Sequence, residues 1–202
     1  MPNLRDLRRR IKSINSTKQI TKAMKAVSAA KMRKAQDAVL AARPYSKRIK
    51  GVLGRVAVAS SGVKHPLLAV REPKKVAFII ITADRGLCGG FNSNVIRRAT
   101  QEIKKTSAEL SLVTVGRKSR DFFRRRGFNI AKQYVGLGED IKYGTARDIA
   151  SFVIDQYSAE EYDAVYLIYS QYVNVLVQNP VLVKLLPAEP PAEEGGEDKK
   201  VD

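Results

Sequence analysis

Cysteine and histidine are almost missing from this chain: 202 residues hold one of each, Cys88 and His65. One cysteine cannot close an internal disulfide, and one cysteine with one histidine cannot supply the usual zinc ligand set, so a disulfide scaffold and a zinc site are both excluded. Long hydrophobic runs are also missing. The apolar stretch Val76–Ile81 has the length of a strand and falls far short of the roughly 18 residues a bilayer crossing needs, so no transmembrane helix is expected. Nucleotide-site signatures are absent too: there is no GxxxxGK[ST] loop, no GxGxxG after the first strand-like run and no GxSxG elbow. Acidic residues are scarce in one region above all. Residues 1–55 carry 16 Lys/Arg against Asp6 and Asp37 alone, whereas residues 56–186 carry 19 against 12, and residues 187–202 reverse the balance with two against six. The net charge of +17 is therefore mostly one basic segment, a local surface for an acidic partner rather than a general solubility device.

That basic segment has neither glycine nor proline from Asn3 to Arg43 and is dominated by Ala, Lys, Arg, Met and Gln, all good helix formers. A single long helix follows, with Asn3 as its cap and Asp6 three residues on as a variant capping box. Leu4, Leu7, Ile11 and Ile14 keep a 4-3 spacing; after a slip in phase Ile20, Met24 and Val27 resume an apolar stripe that Ala35, Val39 and Ala42 continue. Extended to about Val56, such a helix is on the order of 80 Å long at 1.5 Å per residue. Much of it is expected to project and to pair with something.

From Lys74 the pattern changes to short apolar runs between helical stretches. Strands are expected at Lys75–Ala83, Leu110–Gly116, Asn129–Val135, Asp163–Tyr172 and Val181–Leu186. Helices are expected at Asn92–Lys105, Arg117–Arg126 and Gly144–Tyr157, the first capped by Asn92 with a Phe91–Ile96 staple. The alternation predicts an α/β fold, a mostly parallel sheet flanked by helices. Four regions result: a helix over 1–57, a connecting loop over 58–73, an α/β domain over 74–186, and a Pro/Gly/Glu-rich acidic linker over 187–202 that is too polar to order itself.

Two segments invite a chemical reading. DRGLCGGFNSN, from Asp84 to Asn94, places Gly86, Gly89 and Gly90 between a strand and a helix, where doubly wound sheets bind ligands. Tight turns need glycine for backbone reasons alone, however, so the turn is read as structural. Asp84 and Arg85 are expected to form a local ion pair, and Cys88 to be a small thiol tucked into the turn. RKSRDFFRRRGF, from Arg117 to Phe128, mixes cations and aromatics as single-stranded nucleic acid sites do. An amphipathic helix with Phe122 and Phe123 turned into the core explains it equally and is preferred. The N-terminal helix lacks the leucine zipper of a DNA-binding basic region, and its first aromatic is Tyr45, so it has no stacking groups for RNA. A nucleic-acid-binding protein with a basic helical arm is kept as the alternative function, and a small-molecule enzyme built on the Asp84–Asn94 turn as a third.

NLRDLRRRIKSINSTKQITKAMKAVSAAKMRKAQ (Asn3–Gln36) and TADRGLCGGFNSN (Thr82–Asn94) together resemble the gamma-subunit family of F-type ATP synthases, and the similarity continues through VGRKSRDFFRRRG (Val115–Gly127) to LVKLLP (Leu182–Pro187). The resemblance implies a rotor. The N-terminal helix would form half of an antiparallel coiled coil inside the catalytic alpha-beta hexamer, with Leu4, Leu7, Ile11, Ile14, Ile20 and Val27 in the seam. The α/β domain would form a foot on the epsilon subunit and the membrane c-ring. Lys18, Lys22, Met24 and Lys25 would lie level with an acidic catch loop of the beta subunit, and Asp84, Arg85, Gly86, Cys88, Gly89, Gly90 and Asn92 would form the family's turn. It further implies a non-catalytic subunit with no cofactor, metal, small-molecule substrate or nucleic acid of its own, peripheral on the cytoplasmic face of the cell membrane, coupling proton or sodium flow to ATP synthesis. The family continues past the acidic linker into a C-terminal helix, so a truncated, coupling-impaired rotor is expected; no targeting segment precedes the matching helix, which points to a bacterium.

Overall fold

The computed structural model describes residues 3–59, 65–138 and 143–188. The acidic linker from residue 189 on, and residues 60–64 of the expected loop, lie outside the described residues. The chain divides into two compact units at Arg55/Val56, and each is described by itself.

An uninterrupted run of helix formers becomes one α-helix, α1, Leu4–Ala59. The Asn3 carbonyl accepts from the Asp6 and Leu7 N–H groups at 2.8 and 3.1 Å. The helix continues through Pro44, whose missing N–H leaves one carbonyl a turn earlier without its partner. Apart from Gln36 and Gly54, each residue from Leu4 to Val56 is exposed, including Leu4, Ile11, Ile14, Ile20 and Met24. The Thr17 hydroxyl bonds the Ser13 carbonyl at 3.0 Å and the Thr21 hydroxyl the Thr17 carbonyl at 2.9 Å, so the short polar side chains turn back on the helix backbone.

The second unit follows the alternation in the sequence: a 3-10 turn Pro66–Leu68, then β1 Lys75–Ile81, α2 Phe91–Lys105, β2 Glu109–Val115, α3 Arg117–Arg124, β3 Ile130–Tyr134, α4 Tyr143–Ser158, β4 Ala164–Tyr172 and β5 Gln178–Leu186. The sheet order is β3-β2-β1-β4-β5, parallel except for the β4–β5 pair. This is the mixed α/β fold with a long N-terminal helix and mostly parallel sheet that the pattern predicts. β1 is central and buried on both faces, which explains its unbroken apolar run. Its even residues Val76, Phe78 and Ile80 pack with Val95, Ala99 and Phe123 under α2 and α3; its odd residues Ala77 and Ile79 pack with Val153, Tyr157 and Val165 under α4.

Several boundaries differ from expectation for identifiable reasons. β1 and β2 stop at Ile81 and Val115, because Thr82 and Gly116 leave the strands to bond across the loop ends. β5 begins at Gln178, three residues early, with Pro180 inside it; as the outer strand of the sheet it tolerates a residue without an N–H. α3 ends in a Gly127 at φ +74°, with Phe128 N–H on the Phe123 carbonyl at 3.2 Å and the two rings 5.4 Å apart, a Schellman termination with its apolar contact. The 65–74 segment carries the 3-10 turn and is pinned to the domain: the Tyr157 hydroxyl donates to the Ala69 carbonyl at 2.7 Å, and Arg71 donates to the carbonyls of Tyr157 and Tyr162.

Candidate partner-binding surface

Helical periodicity sorts the singled-out residues of α1 into faces. At about 100° per residue, Leu4, Leu7, Ile11 and Ile14 fall within an arc of about 80°. Lys18, Lys22 and Lys25 occupy the same side one to three turns later. Ile20, Met24 and Val27 form their own arc about 160° away. The slip in phase is thus a change of side: the residues that continue the first apolar stripe are lysines, and the apolar face moves to the back. Met24 accordingly belongs with Ile20 and Val27 and not with the three lysines. Lys18–Lys22 and Lys22–Lys25 are like-charge neighbours at i,i+4 and i,i+3, each costing about 0.2 to 0.5 kcal/mol in an isolated helix. No carboxylate offsets this, since Asp6 and Asp37 are the only acids on the helix. The arrangement suits a surface that brings negative charge to one face and apolar groups to the other.

The Asp84–Asn92 turn is built differently from what its sequence suggests. Asp84 makes no ion pair with Arg85 among the described residues. One of its carboxylate oxygens accepts the Arg117 N–H at 2.8 Å, at the first residue of α3, and the other accepts the Gly136 N–H at 2.9 Å, beyond β3. A single carboxylate therefore ties together the loops that follow β1, β2 and β3, and its charge sits at the positive end of α3. Beside it Thr82 and Ser119 form a buried polar knot: the Ser119 N–H donates to Thr82 Oγ1 at 2.9 Å, the two hydroxyl oxygens are 2.9 Å apart, and the Thr82 N–H donates to the Val115 carbonyl at 2.8 Å. Gly116 closes the knot with φ +93°; a Cβ there would stand 2.1 Å from the Thr82 carbonyl oxygen.

Asn92 does not cap α2. The helix begins one residue earlier with Gly90 at the cap position, and Gly89 before it has no side chain for a staple. The Asn92 side chain reaches back instead, accepting the Ala83 N–H at 2.9 Å and donating to the Arg85 carbonyl at 3.2 Å and to Cys88 Sγ at 3.0 Å. It holds the turn in shape from its far end. Cys88 is exposed rather than tucked away. Leu87 beside it is fully exposed with φ +60°, an apolar side chain on a strained backbone position that the core does not use. No local pattern in the sequence marked Leu87, and none linked Thr82 to Ser119.

Catalytic geometry does not assemble here. The one thiol has an amide for company, the one imidazole accepts the Leu67 N–H at 3.2 Å through Nδ1, and the Asp84 carboxylate is taken up by backbone N–H groups. Among the described residues no group of three potential metal ligands comes together. In α3, Phe123 is buried as expected, while Phe122 packs at the core margin with the Arg126 guanidinium 3.6 Å over its ring. The ring face that a nucleic acid base would need is covered, and the nucleic-acid reading has no support.

A family model described as ATP synthase matches residues 3–202. The ATP synthase gamma chain of Pelotomaculum thermopropionicum is 83% identical over 202 residues, spanning all of this chain and 71% of that relative; the one from Desulforudis audaxviator is 59% identical over 197 residues, spanning 98% and 66%. In three dimensions a chain from the Tetrahymena thermophila mitochondrial ATP synthase central stalk and c-ring structure superposes with a TM-score of 0.67 at 28% identity, over 83% of this chain and 72% of that one.

Proposed function

The chain belongs to the family of ATP synthase gamma chains, and from that premise we propose that it is a central-stalk rotor subunit that couples ion flow through the membrane to the conformational cycle of the catalytic subunits. Its role is non-catalytic, within a membrane-associated complex, and no described helix is long and apolar enough to cross a membrane. The observation that carries the reading is α1 itself: a helix of 56 residues, about 84 Å at 1.5 Å per residue, exposed from Leu4 to Val56 but for Gln36 and Gly54, with the cationic and apolar faces changing sides along its length. A helix of that kind has little reason to persist alone in water, because most helical stability comes from packing an amphipathic face. It fits a shaft surrounded by partners.

Residues Leu4, Leu7, Ile11 and Ile14 supply one seam of a helical pair, and Ile20 and Val27 a second seam on the other side. Lys18, Lys22 and Lys25 face the acidic catch loop of the beta subunit, with Met24 turned the opposite way. Because the shaft presents a different face at each rotary position, each position favours a different conformation of the catalytic subunit beside it, which is population shift by mechanical contact. The exposed turn at Arg85–Gly90 offers Leu87 and Cys88 to the same assembly, held rigid by Asp84 and Asn92. The α/β unit is the foot on the epsilon subunit and c-ring, on the cytoplasmic face of a bacterial membrane.

The test reverses the lysine face. One exposed ion pair contributes about 0 to 1 kcal/mol, so Lys22→Ala alone should leave assembly nearly intact. Lys18→Glu, Lys22→Glu and Lys25→Glu together should weaken incorporation into the purified complex, with a dependence on salt. Unchanged incorporation and unchanged coupled ATP hydrolysis in the triple variant would sink the catch-loop assignment.

A further inference from the structure

Between α2 and α3 runs an open groove of about 760 Å³. Arg97 and Lys104 of α2 face Lys118, Arg125 and Arg126 from α3 and its C-terminal turn across it, and Ile96 and Phe122 form an apolar floor. Elsewhere in the domain Arg71 meets Glu160, Lys75 meets Glu161, and Arg98 and Lys105 share Glu102. None of the five groove cations forms a salt bridge among the described residues, although the Arg125 charge acts on Asp121. Arg97 makes do with the Asn94 side-chain oxygen at 2.8 Å, and Arg126 with the Phe122 carbonyl at 3.2 Å. The one acid lining the groove, Asp121, is already bound by Arg120 through Nε and Nη2 at 2.9 and 2.7 Å. The groove thus carries five cations against one acid that is already engaged by Arg120, a local excess of positive charge on two facing walls.

We propose that this groove docks an acidic polypeptide segment of a neighbouring subunit, its carboxylates meeting the two cationic walls and an apolar residue meeting the Ile96–Phe122 floor. The spacing favours a polypeptide over a compact polyphosphate. Arg97 and Lys104 lie seven residues apart, about 10 Å along α2, so the charges form two rails and do not converge on one point. The N-terminal N–H of α3 is held by Asp84 and is not offered to a phosphate. One face of the Phe122 ring is taken by Arg126 and is not offered to a stacking base. Charge complementarity with a mixed floor is what an acidic amphipathic segment satisfies.

The proposal rests on the rotor reading only for where the partner is sought. The experiment uses the assembled complex, with a photo-crosslinking amino acid replacing Gln101 at the groove rim and, as control, replacing Asp155 on the opposite face of the sheet. The expected product from position 101 joins this chain to a net-negative segment of another subunit. Its yield should fall about tenfold in an Arg97→Glu, Lys104→Glu, Arg125→Glu variant, equivalent to 1.4 kcal/mol, and fall with rising salt in the unmodified groove. A cross-link to a neutral or basic segment, to lipid, to nucleotide or to this chain's own residues 189–202 would overturn the proposal, as would no cross-link or a yield indifferent to charge reversal. Failure of the two readings is separable: a complex that contains the chain but gives no acidic product removes the groove assignment alone, whereas a chain that never enters the complex removes both.

Discussion

Gly116→Ala is the sharpest test of how the two halves of the sheet's upper edge are joined. The glycine sits at φ +93° and ψ 143°, outside the regions an L-residue favours, which costs on the order of 1 to 3 kcal/mol for a side chain. The added Cβ would lie 2.1 Å from the Thr82 carbonyl oxygen, 2.6 Å from its carbon and 2.9 Å from Oγ1. Contacts that close, to backbone and not to a flexible tip, force the end of β1 and the start of α3 about 1 Å apart relative to ordinary packing near 3.5 Å. The bonds at risk are Thr82 N–H to Val115, Ser119 N–H to Thr82 Oγ1 and Gly116 N–H to Tyr134, all 2.8 or 2.9 Å, each worth about 0.5 to 1.5 kcal/mol. The variant should therefore lose about 3 to 5 kcal/mol of domain stability. Gly127 provides the control, with φ +74° but nothing within 4 Å of its Cβ position; alanine there should cost only about 1 to 2 kcal/mol. Hydrogen exchange of the β1 and β2 amides, measured with urea unfolding, separates the two, because helix α1 dominates any whole-chain helicity signal. Equal losses in the two variants would refute the argument from close approach.

Asp84→Asn keeps the shape but offers one oxygen where two backbone N–H groups need acceptors, so either the Arg117 or the Gly136 bond is lost; the expected cost is about 1 to 3 kcal/mol, and faster exchange confined to the loops after β2 and β3 is the sign to look for. Glu160 ends α4 at φ +61° in a turn where Glu161 N–H bonds the Gln156 carbonyl at 2.9 Å; Glu160→Gly should stabilise by about 0.5 to 1 kcal/mol in a thermal melt, since relief of the left-handed backbone exceeds loss of the exposed contact with Arg71, and a lower midpoint would contradict this. Burial holds the Tyr157 and Tyr162 phenols above their ordinary range, against the opposing Arg71 cation at Tyr157 and the Ser111 hydrogen bond at Tyr162. A raised folded-state pKa gives stability that is intact below the ordinary phenol value of about 10 and lost as pH climbs past it. The phenolate absorbance that disappears in a Tyr157→Phe, Tyr162→Phe variant should accordingly develop above the ordinary phenol value of about 10, and a difference curve centred at or below that value would count against the burial argument.

The sequence by itself determined the features that rest on local physics. A stretch from Asn3 to Arg43 without glycine or proline has little choice but α1, and the change to short apolar runs between helical stretches after Lys74 determined an α/β unit; that Val76–Ile81 is its central strand came from the structure. The family was legible for a simpler reason: two long motifs in order are improbable by accident. The tertiary structure alone decided what the motif residues do. Asp84 meets partners 33 and 52 positions away, Thr82 meets Ser119 across 37, and Asn92 serves the turn before it when its sequence context suggests a cap. Those roles depend on which loop ends the parallel sheet brings to one edge, and spacing along the chain carries no record of that. The side change between Ile14 and Ile20 was present in the sequence as a slip in phase, but its meaning needed one continuous helix to carry the angle through. The α2–α3 groove was legible only on its α3 side, in the cation–aromatic run Arg117–Phe128; that Arg97 and Lys104 face it depends on the packing of two helices, which is set by the apolar residues beneath them.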